Sequence, residues 1–412
     1  MNKRNRNLIF FAITVAFGIL LLTGATLTTA GLTKAPQYIT NNFGENSSSQ
    51  HNFTWDTSVE IKTGEIDFCL KDQFSGFEKS NISKIVSTNY LDYTDVGNRE
   101  IHKVEVGNLQ AGKEYVYRVG SKGFFSSQGT FRTSGIDKSG FTFINITDTQ
   151  GSNTKDYSIW KNTLDMALAK FPNTRFLVHS GDMVDDGQLI NQWDMFTGAV
   201  SKEIINLPIA PVVGNHEVLN KNNTNTNEKN FVDRFDLPNE IDTGAPLGTV
   251  YSFDYGDAHI VIMNTQCSSA NLVKQGKWLR SDLKASNKKW KIVALHRGPY
   301  GSTYDSTDIR KAWVPIFDEQ GVDLVLEGHD HNYQRSYFLE NGLAVKSGKG
   351  TLYINSNTGG VKFYPIKYRS WQALDIQPKV QMYLAISVKS DSMKIEAYDV
   401  KNILRDSITL QK

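Results

Sequence analysis

The sequence predicts two folded parts of different class: an all-β sandwich first, then an α/β domain. Two observations carry this. From Pro36 to Thr133 the apolar residues fall in short runs with period two, broken by polar turns and with no helical stretch. From Phe141 onward, apolar runs alternate instead with stripes of helical spacing, the pattern that builds parallel sheets. A third feature concerns chemistry. Asp148-Thr149-Gln150, Gly181-Asp182, Gly214-Asn215-His216-Glu217, His296-Arg297 and Gly328-His329-Asp330-His331 each follow directly on an apolar run.

In chain order, residues 1–33 come first. Lys3, Arg4 and Arg6 precede an uncharged stretch from Leu8 to Thr33, with Thr28-Thr29-Ala30 as a small-residue cleavage site. A basic head, apolar middle and small-residue end make a secretory signal peptide. The stretch is also long enough to be an N-terminal membrane anchor through residues 8–33. Either way the chain from about Lys34 is exported, to the extracellular space or the cell envelope.

The second segment, 34–134, is the sandwich. Phe53-Thr54-Trp55, Ile66-Asp67-Phe68, His102–Val106 and Tyr115–Val119 are its strands, with Gly107, Gly112 and Gly120 as punctuation. The run from Leu109 to Tyr115 is similar to the corner of a fibronectin type III-like domain, where a leucine and a tyrosine flank a tight turn.

The third segment spans 141–412. Phe141–Ile146 is a strand ending at Asp148. Tyr157, Trp160, Leu164, Ala167 and Phe171 form a helix stripe, and Phe176–Val178 is a strand ending at Gly181-Asp182. Such a βαβ unit puts both aspartates at the carboxyl ends of neighbouring parallel strands. Leu189, Trp193, Phe196, Val200 and Ile204 form a second stripe. Strands over 209–213, 259–263, 292–295 and 322–326 follow, and Met382–Val388 and Lys394–Tyr398 are expected to edge the sheets.

Composition excludes several functions. Lys+Arg 45 against Asp+Glu 43 in 412 residues leaves no basic footprint for nucleic acid, and 39% hydrophobic residues rule out a disordered chain. The two cysteines, Cys69 and Cys267, are too few for a cysteine zinc site and read as free thiols. Nothing in the sequence sets the oligomeric state.

Aspartate, asparagine and histidine at strand ends are a mixed set of anionic and neutral ligands. Such a set holds two cations close together when one carboxylate is shared. Imidazole with carboxylate suits Mn, Fe or Zn rather than Ca. The five clusters together resemble the calcineurin-like metallophosphoesterase superfamily. The run Gly328-His329-Asp330-His331-Asn332-Tyr333, with a sandwich placed in front, is similar to its purple acid phosphatase branch.

The resemblance implies an α/β domain of two mixed β-sheets flanked by helices and a binuclear site of divalent or trivalent ions (Mn, Fe or Zn). Asp148, Asp182 and His331 would hold the first metal. Asp182, Asn215, His296 and His329 would hold the second, with Asp182 bridging. His216 would serve catalysis, with Asn215 and His216 binding a small phosphoester substrate; Arg297 either joins them on the phosphate or makes a surface salt bridge. A metal-held hydroxide would be the nucleophile. The implied activity is phosphomonoester hydrolysis, of acid phosphatase type. The alternatives are a phosphodiesterase of the same fold, or a surface binding protein with a vestigial metal site.

Two positions depart from the family pattern. Asp185 stands where the purple branch carries the tyrosine that colours its ferric site. Gln150 stands where many members carry a histidine ligand; it either binds the first metal through its carbonyl oxygen or makes a loop hydrogen bond. Tyr300, Tyr304 and Tyr364 are candidates either for stacking on an aromatic group or for covering the cleft.

Overall fold

The computed structural model describes residues 32–412 except 80, 136–138, 221, 223–225 and 347–348. The signal or anchor segment lies outside the described residues, apart from Leu32 and Thr33. Among the described residues no helix is long and apolar enough to cross a membrane.

Two sheets form the sandwich. The first orders β1 (Gln37–Phe43), β2 (His51–Thr57), β6 (Gly97–Val106) and β5 (Thr88–Thr94). The second orders β4 (Ser83–Val86), β3 (Glu65–Leu70), β7 (Glu114–Ser121) and β8 (Phe124–Phe125), with β9 (Gly129–Arg132) also on β7. Phe53, Trp55, Ile66, Val104, Tyr117, Val119 and Phe131 make its core. At the predicted corner, the Tyr115 hydroxyl accepts from the Gln110 N–H at 2.8 Å.

The alternation in β2 has a second meaning. All seven residues are buried, not only the apolar ones. Its polar face meets the α/β part: Asn52 Nδ2 donates to Asp236 O at 3.1 Å, and Asp56 enters a buried ion-pair cluster. In that cluster Arg99 lies 2.7 Å from Asp56 and 2.8 Å from Asp194, while Arg234 lies 3.3 Å from Asp56 and 2.8 Å from Asp194. Two of these residues belong to each part. The sandwich is therefore fastened by desolvated charge, and residues 32–412 behave as one compact unit.

A six-stranded sheet orders β12 (Ile209–Pro211), β11 (Thr174–His179), β10 (Phe141–Ile146), β22 (Met382–Val388), β23 (Ser392–Asp399) and β24 (Leu404–Gln411). A seven-stranded sheet orders β13 (Tyr251–Tyr255), β14 (Ala258–Ile262), β15 (Trp290–Arg297), β16 (Leu324–Gly328), β20 (Leu352–Ser356), β17 (Tyr333–Ser336) and β21 (Gln372–Ile376). A hairpin of β18 (Phe338–Glu340) and β19 (Leu343–Val345) stands apart.

Strands β10, β11 and β12 run parallel, as do β14, β15, β16 and β20, so both sheets are mixed. One expectation is corrected here. Neither strand expected at an edge lies there: Met382–Val388 pairs antiparallel with β10 and β23, and Lys394–Tyr398, inside β23, pairs with β22 and β24. The edge is β24, and the almost wholly buried run of Met382–Val388 suits a position covered on both faces.

Period two splits the seven-stranded sheet between two cores. Ile260, Ile292, Ala294, Leu324 and Leu326 face the other sheet, while Val261, Val293, Leu295 and Val325 face α6 (Ser269–Ala285) and α7 (Thr307–Gln320). On the far side lies α1 (Thr154–Lys170), begun by Asn153, whose side chain accepts from the N–H groups of Lys155 and Asp156. The second predicted stripe is broken at Val200 into α2 (Ile190–Ala199) and α3 (Ser201–Ile204). Two shorter helices, α4 (Asn215–Val218) and α5 (Lys229–Arg234), complete the set.

Candidate metal centre

Every cluster picked out in the sequence sits at or just beyond the carboxyl end of a parallel strand: Asp148 after β10, Asp182 after β11, Asn215 after β12, His296 at the end of β15, and His329 after β16. The backbone is bent to point these side chains inward. Asp148 (φ 55°), Asp182 (φ 54°), His329 (φ 76°) and His331 (φ 48°) all occupy the left-handed region. That region costs an L-residue about 1–2 kcal/mol each, and such strain gathers at functional sites. The two histidines are thus presented from a tight turn.

The side chains converge in two overlapping groups. Asp148, Asp182 and His331 offer ligand atoms within 4.8 Å of one another, and so do Asp182, His296 and His329. Asp182 belongs to both. His331 Nε2 lies 3.1 Å from Asp148 Oδ1, and His296 Nε2 lies 3.2 Å from Asp182 Oδ2. Asn215 Oδ1 is 3.1 Å from that same His296 nitrogen, which places it with the second group.

The far nitrogens are fixed by carbonyls, His296 Nδ1 on Ser180 O at 2.8 Å and His331 Nδ1 on Lys362 O at 3.1 Å. This leaves both Nε2 atoms facing the centre.

The donor set fits a pair of cations. Two carboxylates, fully buried together, need positive charge. Here burial presses the His296 imidazolium down, but Asp182 and Asp148 more than offset it and lift His296 to about 9. A proton on His296 is thus the charge that the carboxylates hold where a cation fits. His329 is pushed down to about 3 by burial and by His296, and so presents the neutral imidazole that ligation needs. Gln150 Oε1 is buried without a hydrogen-bond partner, while its Nε2 lies 3.3 Å from His331 Nε2. That orphaned oxygen beside His331 is a ready ligand for the first group.

Glu217 holds the two central loops together. Its carboxylate accepts from Gly214 N at 2.6 Å, Met183 N at 2.7 Å, Asp182 N at 2.8 Å and Val184 N at 3.4 Å. Burial and Asp182 push its carboxyl up to about 7 against these donors. Gly214 is required by space: a Cβ there would fall 2.2 Å from Asp182 Oδ1 and 2.4 Å from Asp182 N. Gly181, at φ 93°, would likewise put a Cβ 2.7 Å from His296 Nδ1.

The remaining candidates divide. His216 donates from Nδ1 to Asp185 O at 2.7 Å and turns Nε2 toward Asp182 Oδ2 at 3.9 Å. Arg297 is engaged elsewhere, with both Nη2 contacts on the Asp308 carboxylate at 2.8 and 2.9 Å and Nη1 on Thr265 O. His179 packs against Trp160 and Phe196, with its Nε2 2.9 Å from Thr149 Oγ1. Asp330, between the two ligand histidines, points the other way and accepts from the N–H groups of Ser302, Thr303 and Tyr304. That anchors Tyr304 with its ring 4.4 Å from His329. Tyr364 stacks on His331 at 4.2 Å. Tyr300, by contrast, belongs to the core beside α7.

Two contributions were not singled out in the sequence. Thr358 Oγ1 donates to Asp148 O at 2.6 Å, and Gly359 N to Thr147 O at 2.8 Å, tying the loop after β20 to the first ligand. Lys362 Nζ lies 2.6 Å from Asp185 Oδ1. The tight Asn357-Thr358-Gly359-Gly360 stretch after an apolar strand was the available signal for the first; the second had none.

Fold and ligand constellation together define a metallophosphoesterase with an appended β-sandwich. Residues 141–333 match the model of the calcineurin-like phosphoesterases, and residues 36–133 match that of the purple acid phosphatase N-terminal domain. The chain thus carries a calcineurin-like phosphoesterase domain behind a purple acid phosphatase N-terminal domain.

It is similar to acid phosphatase type 7 of mouse, 28% identical over 58% of this chain and 58% of the relative. It is also similar to the Fe(3+)-Zn(2+) purple acid phosphatase 12 of Arabidopsis thaliana, 25% identical over 79% of this chain and 72% of the relative. The chain thus spans just over half the length of the mouse relative. Its fold matches a purple acid phosphatase from yellow lupin seeds with a TM-score of 0.78 at 17% identity, covering 92% of this chain and 74% of that one.

Proposed function

We propose that the protein is an exported binuclear metal-dependent phosphoester hydrolase that acts chiefly on phosphomonoesters. The observation that carries this reading is the pair of buried ligand groups sharing Asp182. Two bound cations supply charge neutralisation for the phosphoryl oxygens and acidify water into the neutral range. Asp148, Gln150, Asp182 and His331 would hold the first, and Asp182, Asn215, His296 and His329 the second. Mn, Fe and Zn all suit this mixture of imidazole and carboxylate.

The chain's own residues do the rest. His216 is fixed by its bond to a carbonyl, an acceptor only, so Nδ1 carries a proton in every state. Its Nε2 is then the atom left to face the centre, placed to assist the leaving oxygen of the ester. Glu217 keeps Asp182 and His216 in register through the N–H groups of both loops. Tyr304 and Tyr364 flank the two ligand histidines and limit water around the centre.

The preference for monoesters draws support from relatives named acid phosphatases. Export draws support from the basic, then apolar, N-terminal sequence alone. The test is hydrolysis of p-nitrophenyl phosphate and of its bis-ester after metal removal and separate return of Mn, Zn or Fe. Metal-dependent turnover favouring the monoester supports the reading. Preference for the bis-ester makes the protein a phosphodiesterase. No turnover with two ions bound makes it a binding protein.

A further inference from the structure

The geometry points to Lys362 as the specificity-determining residue of this site: a cation held at the rim by Asp185 that transfers to the phosphate of a monoester. The inference deepens the hydrolase reading and rests on it. Its first support is an asymmetry between backbone and side chain. The Lys362 carbonyl accepts from His331 Nδ1 at 3.1 Å, and on either side Tyr364 N donates to His331 O at 3.2 Å and Thr358 Oγ1 to Asp148 O. The loop is thus locked to the first ligand group. The Lys362 side chain is not; it leaves this anchored point and reaches Asp185 Oδ1 at 2.6 Å, with 35% of its side-chain surface exposed against 40% for Asp185.

Asp185 in turn lies beside His216, its Oδ1 3.8 Å from His216 Nδ1. Lys362 therefore spans the mouth, with its backbone on the His331 side and its ammonium on the His216 side. A half-exposed ion pair holds its partners less firmly than a buried one. A flexible four-carbon stem with three rotatable donors can exchange Asp185 for a substrate oxygen without disturbing the loop.

Charge decides which substrate gains. A monoester carries one more unesterified oxygen than a diester and, when fully ionised, one more negative charge, and a charge-assisted hydrogen bond from an ammonium rewards that difference. The other cation suggested by the sequence, Arg297, is already committed to Asp308. Asp185 explains why the lysine waits there: uncapped, that carboxylate beside His216 would repel an arriving dianion. The pair thus keeps the mouth neutral until phosphate enters.

The test uses the full metal-loaded chain with Lys362→Met, which keeps the stem and removes the charge. The ratio of kcat/KM for p-nitrophenyl phosphate to that for its bis-ester is expected to fall about 10- to 100-fold, as for loss of one charged hydrogen bond. The Kd for inorganic phosphate by calorimetry is expected to weaken at least about 10-fold, with metal content unchanged. In a double-mutant cycle, Asp185→Asn should tighten phosphate binding more when Lys362 is present than in the Lys362→Met background.

An equal loss on both esters, or a loss of bound metal, overturns the proposal and leaves Lys362 a loop residue. The same gain from Asp185→Asn in both backgrounds overturns the exchange. If the unaltered chain cleaves neither ester, the hydrolase reading fails by itself. Phosphate binding then decides Lys362 separately, and an unchanged Kd in Lys362→Met rejects it.

Discussion

Replacing Glu217 by glutamine changes one oxygen into an NH2 group and leaves the volume almost untouched. The consequence follows from the four donors. Oε1 accepts from Met183 N and Val184 N, and Oε2 from Asp182 N and Gly214 N. Whichever oxygen is lost, an NH2 then faces two buried N–H groups. The amide turns its nitrogen toward Met183 and Val184, where one of the two bonds is long at 3.4 Å. A buried donor left without an acceptor costs about 1–3 kcal/mol, so the pair sums to roughly 2–4 kcal/mol when the longer bond counts for less. Urea unfolding of metal-free wild type and Glu217→Gln at pH 8, above the carboxyl's raised value of about 7, reads this loss directly. Since the same bonds place Asp182, affinity for the returned metal should fall as well. Equal unfolding free energies, within about 0.5 kcal/mol, would falsify the clamp.

Three further outcomes follow from the same geometry. Gly214→Ala keeps an ordinary extended backbone but drives a Cβ into Asp182, so metal affinity should drop at least about 10-fold in calorimetry with the circular-dichroism spectrum retained; native affinity contradicts it. Arg99→Leu leaves Asp56 and Asp194 to share Arg234, and should cost about 3–5 kcal/mol in urea unfolding; a loss under about 1 kcal/mol would show the sandwich held by its other contacts. His259 is pressed down by burial but lifted to about 9 by Asp254 and Asp282, each 2.8 Å away. A raised histidine adds stability that is complete below its unfolded value near 6.5 and is lost as pH rises through about 9. Wild type should therefore lose about 1–3 kcal/mol more than His259→Gln between pH 6.5 and 9.5; parallel pH curves reject the assignment.

Much of the fold is local enough to read from sequence. The alternation in Tyr115–Val119 and the stripe Tyr157, Trp160, Leu164 and Ala167 each report one element's buried face, and each is found as β7 or α1. The five clusters are legible for a related reason: each is a short polar break after an apolar strand, and parallel strands end on one side. What was not legible depends on partners far apart in the chain. Lys362 meets Asp185 across 177 positions, and Arg99 meets Asp194 across 95. No periodicity marks such pairs. The same holds for Arg297, whose position after His296 suggested a phosphate ligand, while its partner Asp308 is fixed by where α7 begins. Met382–Val388 was misplaced because an apolar strand does not announce its neighbour, and β10 is more than 230 residues away in sequence.

The central claim is that two cations, sharing Asp182, carry phosphoester hydrolysis. The most direct test strips the full chain of metal and titrates Mn back while following bound metal and p-nitrophenyl phosphate turnover together. Turnover that rises to a plateau at two ions per chain, and is lost in Asp182→Asn, is the predicted result. Turnover that persists in the stripped chain, or is absent with both ions bound, would contradict it.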